Sequence, residues 1–173
     1  QALLLSKYKW IAIIDHDDYW ISNKLELQIE HHKKINCALS HTYYRRFNSD
    51  GNIGKLIKAE DIIDFKDLLK ANTIALSSVM IDRKIVLNFQ MFDGILSDFP
   101  TWLKILSEHK FAYVIKHDLL RYYYDKSTDS GNKFKAAINH WLVYRNYLKM
   151  PILKSFFYMI CYIIKSFIKH FRL

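Results

Sequence analysis

The stretch Trp10-Ile11-Ala12-Ile13-Ile14-Asp15-His16-Asp17-Asp18-Tyr19-Trp20 sets an unbroken apolar run directly against three carboxylates. A run of that length, free of polar interruption, predicts a short strand buried on both faces, as in a parallel sheet held between helices. It ends at Asp15, and open α/β sheets place their ligand crevices just beyond the C-terminal ends of such strands. Asp15, Asp17 and Asp18 repel one another. A hard divalent cation with oxygen ligands, Mg²⁺ or Mn²⁺, is the natural compensation and would also hold phosphate oxygens of a substrate. A solvated acidic turn, with Asp18 or Asn23 capping the next helix, is the competing structural role. The fully apolar strand before the loop and the Tyr19-Trp20-Ile21 anchor after it favour the ligand site.

Outward from this loop, Asn23-x-x-Glu26 has the spacing of a capping box and predicts a helix to about Lys34. Residues 37–46 and 53–58 read as two strands of a hairpin, because Asp50-Gly51 supplies the positive φ of a tight turn. Residues 61–69 and 102–108 are helical in pattern, whereas 77–81, 111–115 and 120–124 are strand-like. Two helices, 133–148 and 152–172, follow on either side of Pro151. There is no internal repeat and no Gly/Ser/Pro linker, so residues 1–130 are expected to form one unit and 131–173 a helical tail.

Composition narrows the function classes. The 173 residues are 51% apolar, enough for one domain with a real core, which excludes a collagen, a disulfide scaffold or a disordered tail. Cys37 and Cys161 lie far apart among apolar neighbours, the pattern of packed thiols in a reducing compartment. No segment has the form of a signal peptide, and a chain opening at Gln1 rather than Met is expected to be a fragment facing the cytosol. The formal net charge of +9 is lopsided: no acid follows Asp129, while eight cations do.

The residues from Trp10 to Lys34, with Ile-Ile-Asp-His-Asp-Asp-Tyr-Trp and Asn23-Lys24-Leu25-Glu26-x-Gln28, resemble the aspartate-motif segment of family 2 glycosyltransferases of the GT-A fold. The blocks at Leu39 to Gly51, Ala75 to Asp82, Asp98-x-x-x-Trp102-Leu-Lys-Ile-Leu106 and Asn132 to Arg145 follow in the order seen in bacterial members that build surface polysaccharides, the teichuronic-acid type among them. The resemblance covers essentially the whole chain. It implies an α/β, GT-A-like but incomplete mixed sheet flanked by helices, with a C-terminal helical tail.

It further implies transfer of a sugar from a nucleotide-diphosphate donor to an acceptor hydroxyl, with inversion. Asp15, Asp17 and Asp18 would bind the donor. Asp17 would ligate Mg²⁺ or Mn²⁺ directly, with Asp15 on the ribose or on the metal through water. Charge builds on the departing diphosphate, which is why a metal belongs there. Asp98 stands at the family's position for the base that deprotonates the acceptor. Its competing role is helix capping, but Pro100 at a first helical position makes Phe99 the more natural cap and leaves Asp98 just outside the helix. The chain departs from the family pattern at three places. Ser97 replaces the usual Glu or Gln before Asp98. Arg121-Tyr122-Tyr123-Tyr124 lacks the Tyr-Arg and nearby His of relatives, with Tyr123 and then Asp125 or Lys126 standing in their places, so the tyrosines are read as an amphipathic strand. The resemblance also leads one to expect about two β-α units before the aspartate motif, whereas the given sequence starts only at the helix before the strand of that motif.

The segment 151–171 interleaves Ile, Leu and Phe with Lys154, Lys165 and Lys169, and Arg172 follows. Only ten residues separate Lys154 from Lys165, against the ~20 apolar residues a membrane span needs. An interfacial helix on the inner face of the cytoplasmic membrane is therefore expected, suited to a saccharide or lipid-linked saccharide acceptor. A core-packing terminal helix is the bland alternative. Two other function classes compete: a metal-dependent nuclease or phosphatase, and a non-enzymatic basic module for membrane or nucleic acid. The first lacks further clustered ligands, since His31, His32 and His41 read as isolated surface residues. Nucleic acid is not expected as a partner, because the cations sit on an aromatic-apolar helix rather than on a stacking platform.

Overall fold

The computed structural model describes residues 5–86, 98–125 and 133–171. Its elements, in order, are β1 (Trp10–Ala12), β2 (Tyr19–Trp20), α1 (Lys24–Ile35), β3 (Leu39–Phe47), β4 (Ile53–Ile57), β5 (Ile62–Asp64) and α2 (Phe65–Lys70). A 3₁₀ turn (Leu76–Ser78) leads into β6 (Met80–Asp82) and α3 (Arg83–Val86). Then come α4 (Asp98–His109), β7 (Phe111–Tyr123), α5 (Lys133–Leu142), a π-helical segment (Val143–Tyr147) and α6 (Ile152–Phe171).

The sheet runs β1-β6-β3-β7-β2, with β4 also on β3 and β5 also on β7. It is mixed. The long central pair β3/β7 is parallel, and every other pairing is antiparallel. The β3–β4 hairpin is as expected, and Gly51 takes φ +78° at its turn.

Several expectations are corrected. β1 is neither parallel nor buried on both faces: it pairs antiparallel with β6 and is half-buried throughout. Asn23 precedes α1 but makes no side-chain cap, so the capping-box spacing marks the start without its hydrogen bond. The segment 61–69 is not one helix. Ile62–Asp64 joins the sheet against Phe111–Tyr113, and the helix starts only at Phe65, where the Asp64 carboxylate accepts the Asp67 N–H. The two strands expected over 111–124 are a single strand, β7, whose pairing with β3 slips in register around Tyr43. His32 and His41 are 2% and 1% exposed rather than on the surface. Burial pushes both imidazoles down to about 4, so they are neutral.

The main core gathers Leu39, Ile63, Leu68, Leu69, Ile81 and Ala112 around α4, whose Phe99, Trp102 and Leu103 are fully buried. It does not stop at residue 130. Tyr144, Met150 and Tyr158 belong to the same cluster, and the Tyr144 hydroxyl donates to the Leu69 carbonyl at 2.6 Å. α1 is different in kind. Its inward positions Lys24, Gln28 and His32, spaced four apart, are polar and are met by Ser40 and the Ser78 carbonyl.

Candidate functional site

The acidic loop 13–18 connects β1 to β2 and is tied down at three points. The Asp15 N–H donates to the Ser77 hydroxyl at 2.9 Å. The Trp20 indole N–H donates to the Ser77 carbonyl at 2.7 Å. The Asp18 Oδ1 accepts the Tyr123 N–H at 2.7 Å, at the end of β7. Inside the loop, the Asp18 N–H closes a turn on the Asp15 carbonyl at 3.2 Å. The loop is therefore clamped between the 3₁₀ turn and β7, with Ser77 serving both of its ends.

The three carboxylates differ in environment. Asp17 is exposed, whereas Asp15 and Asp18 are half-buried. Burial, then repulsion from Asp17, raises the Asp15 carboxyl above its ordinary range, with His16 opposing. Burial also raises Asp18, against the pull of Ser77 and the Tyr123 N–H, while Asp17 and Asp15 add to the rise. The Asp18 Oδ2 is buried with no hydrogen-bond partner among the described residues. Three crowded carboxylates, two of them disfavoured as anions, are a donor set that a cation would relieve.

Asp98 stands at the head of the described part of α4. Contrary to expectation, it is helical, and Phe99 is a buried helix residue rather than the cap. The Asp98 Oδ1 accepts the Phe99 N–H at 2.7 Å, and Oδ2 accepts from the Asn72 amide at 3.3 Å. Burial raises its carboxyl, those two bonds oppose the rise, and the charge of Asp15 adds to it. The Asp15 charge is the smallest of these contributions. Among the described residues no three His, Cys, Asp or Glu side chains form a metal cage by themselves. A Mg²⁺ site needs less than that, because it typically uses one or two carboxylates and completes its shell with water and substrate phosphate.

Sequence reasoning missed Ser77, Asn72 and the backbone of Tyr123. Ser77 lies in a block already noted for its resemblance, and nothing about Asn72 signalled a role. Ser97, Lys126 and Arg172 lie outside the described residues, as does the side chain of Lys169. Lys154 and Lys165 are exposed on α6. They flank a helix face carrying Leu153 (82% exposed), Phe156, Phe157, Ile160, Ile164 and Phe167 (61%). No helix among the described residues is long and apolar enough to cross a membrane.

No family model matches the chain. It is similar to TuaG of Bacillus subtilis (strain 168), a glycosyltransferase assigned to teichuronic acid biosynthesis, with 34% identity over 157 residues, 90% of this chain and 62% of TuaG. It is also similar to the Escherichia coli UDP-Glc:α-D-GlcNAc-diphosphoundecaprenol β-1,3-glucosyltransferases WfgD and WfaP, at 30% and 32% identity, covering 98% of this chain and 66% of each. The chain thus spans about two thirds of the length of these relatives. Among solved structures, Staphylococcus aureus TarS (residues 1–349, with UDP-GlcNAc) superposes with a TM-score of 0.57 at 8% identity, covering 84% of this chain and 45% of TarS. That likeness is one of fold. It agrees with the expected incomplete GT-A-like mixed sheet flanked by helices.

Proposed function

We propose, from the premise that this chain belongs to the glycosyltransferases, that its acidic loop and Asp98 are the two halves of an inverting, metal-dependent sugar-transfer site of the family 2 type. The donor is a nucleotide-diphosphate sugar, and UDP-glucose is the first to test because WfgD and WfaP are named for it. The product belongs to bacterial surface polysaccharide.

Asp15 and Asp17 hold the divalent cation, Mg²⁺ or Mn²⁺, and Asp18 fixes the loop from which they project. When bound, the metal supplies Lewis-acid neutralisation of charge on the departing diphosphate. The Asp98 carboxylate takes the proton from the acceptor hydroxyl as it attacks the anomeric carbon, opposite the leaving group. Burial favours that role, since a raised carboxyl is a stronger base once ionised. The observation that supports the reading is the acidic loop itself, where Asp15, Asp17 and Asp18 crowd together on a backbone held by Ser77 and the Tyr123 N–H. The test is calorimetric titration of Mn²⁺ with and without UDP. UDP should strengthen Mn²⁺ binding to the wild type, and Asp17→Asn should abolish the effect. UDP-independent binding in both proteins would count against the site.

We also propose that α6 lies in an anionic membrane surface. Its exposed apolar side chains fall on the side of the helix away from buried Ser155 and Tyr158, and Lys154 and Lys165 share one flank. An apolar face bordered by cations, in a segment without acid, has the pattern of an interfacial helix. A lipid-linked saccharide, the acceptor class in the names of WfgD and WfaP, would reach the site from that surface.

A further inference from the structure

Lys24 carries an ammonium into a place where, among the described residues, no carboxylate meets it. It opens α1, yet none of its surface reaches solvent (0% exposed). Its Nζ donates to the Gln28 Oε1 at 2.5 Å and lies 4.3 Å from the centroid of the Trp20 ring. Burial pushes the amine down to about 7. An apolar side chain of similar length would fill the same space without giving up the hydration of a charge. What an apolar side chain would not do is orient its two neighbours.

Both neighbours end on the same short turn. The Gln28 amide, with its oxygen committed to Lys24, turns its nitrogen to the Ser78 carbonyl at 3.1 Å and the Ser40 hydroxyl at 3.2 Å. Trp20, with its face against the ammonium, sends its N–H to the Ser77 carbonyl at 2.7 Å. The Ser77 hydroxyl then receives the Asp15 N–H. We propose that Lys24 is a positioning residue for the acidic loop. Its ammonium fixes the Trp20 ring and the Gln28 amide in the orientations that hold the Ser77–Ser78 turn, and through it the backbone of Asp15. The consequence for metal binding rests on the reading of Asp15 given above; the positioning does not.

Amide hydrogen exchange in the whole 173-residue chain tests it. In Lys24→Met the Asp15 amide should exchange about tenfold faster or more, as expected for loss of one well-placed bond. The Tyr124 amide, bonded to the Phe47 carbonyl at 2.9 Å away from this chain of contacts, should keep its rate. Unchanged exchange at Asp15 would overturn the proposal. So would equal acceleration at both amides, which would make Lys24 a general core residue. If Lys24→Met does not fold, Trp20→Phe keeps a ring under the ammonium and removes the indole N–H. Faster Asp15 exchange there supports the relay, and an unchanged rate overturns it. Mn²⁺ titration of the same proteins separates the two readings. A wild type that binds no Mn²⁺ removes the metal site while the exchange rates still decide the positioning role.

Discussion

The charge on Asp15 pushes the Asp98 carboxyl in the direction burial already takes it, upward, while Asp15 itself is raised by burial and by Asp17. In metal-free protein, carboxyl NMR should therefore find Asp98 titrating above the ordinary 3.8. Asp15→Asn should lower that value without returning it to the ordinary range, because burial is the larger cause. The folded state keeps a proton that the unfolded chain has lost. The cost to stability is thus absent below the unfolded pKa and grows as pH rises through the folded one. Asp98→Asn should melt above the wild type at pH 7 and level with it near pH 3. Its transfer activity should fall by roughly 10²-fold or more, as for loss of a general base. Equal melting at pH 7 would contradict the burial of this carboxyl.

Ser77 tests the clamp on the loop. Ser77→Ala strips the acceptor from the Asp15 N–H in a residue that is 0% exposed. The loss should be about 1–2 kcal/mol, measured by urea unfolding. Mn²⁺ affinity should weaken in parallel, because the carboxylate is carried on that backbone. A variant that loses stability while keeping wild-type Mn²⁺ affinity would separate the clamp from the site.

The membrane face is best tested by charge rather than by deletion. Removing everything after Lys149 would take Tyr158 (8% exposed) out of the core, so loss of vesicle binding would be confounded with unfolding. Leu153→Glu with Phe157→Glu alters only exposed positions, where substitutions usually stay within about 0.5 kcal/mol. Sedimentation with anionic vesicles should drop sharply while the melting temperature holds. Undiminished sedimentation would remove α6 from the interface.

Tyr144 reports whether the helices after residue 130 are part of the fold. Tyr144→Phe loses the bond to the Leu69 carbonyl and should cost about 1 kcal/mol. Tyr144→Ala also opens a cavity beside Phe99 and should cost about 3–5 kcal/mol. Denaturant titration with one cooperative transition in each case is the expected outcome. A Tyr144→Ala protein as stable as the wild type would detach these helices from the core.

Where the sequence was legible, the signal was local. The hairpin followed from Asp50-Gly51, the acidic loop from the end of an apolar run, and α1 from its first-turn pattern. The break at Pro151 falls where the structure has it, between the π-helical segment and α6. What could not be read was set by partners far along the chain. Ile62 and Ile63 suit a helix face as well as a strand, and only the edge offered by Phe111–Tyr113 decides between them. β1 looks like an interior strand by composition, yet its pairing depends on β6, about seventy residues later. His32 and His41 looked isolated because hydrophobic pattern carries no information about a polar inward face such as that of α1. Asp98 was expected just outside its helix and lies within it, since Pro100 constrains the backbone without saying where the first turn begins.

The Tyr144–Leu69 bond joins residues 75 positions apart, and the central strands β3 and β7 are parallel neighbours across a comparable gap. On a ribosome adding about 5–20 residues per second, β3 would emerge on the order of several seconds before its parallel neighbour exists. The hairpin partner β4 arrives at once, but the other edge must wait. Assembly of this sheet is therefore a late event in the life of the nascent chain, set by its topology.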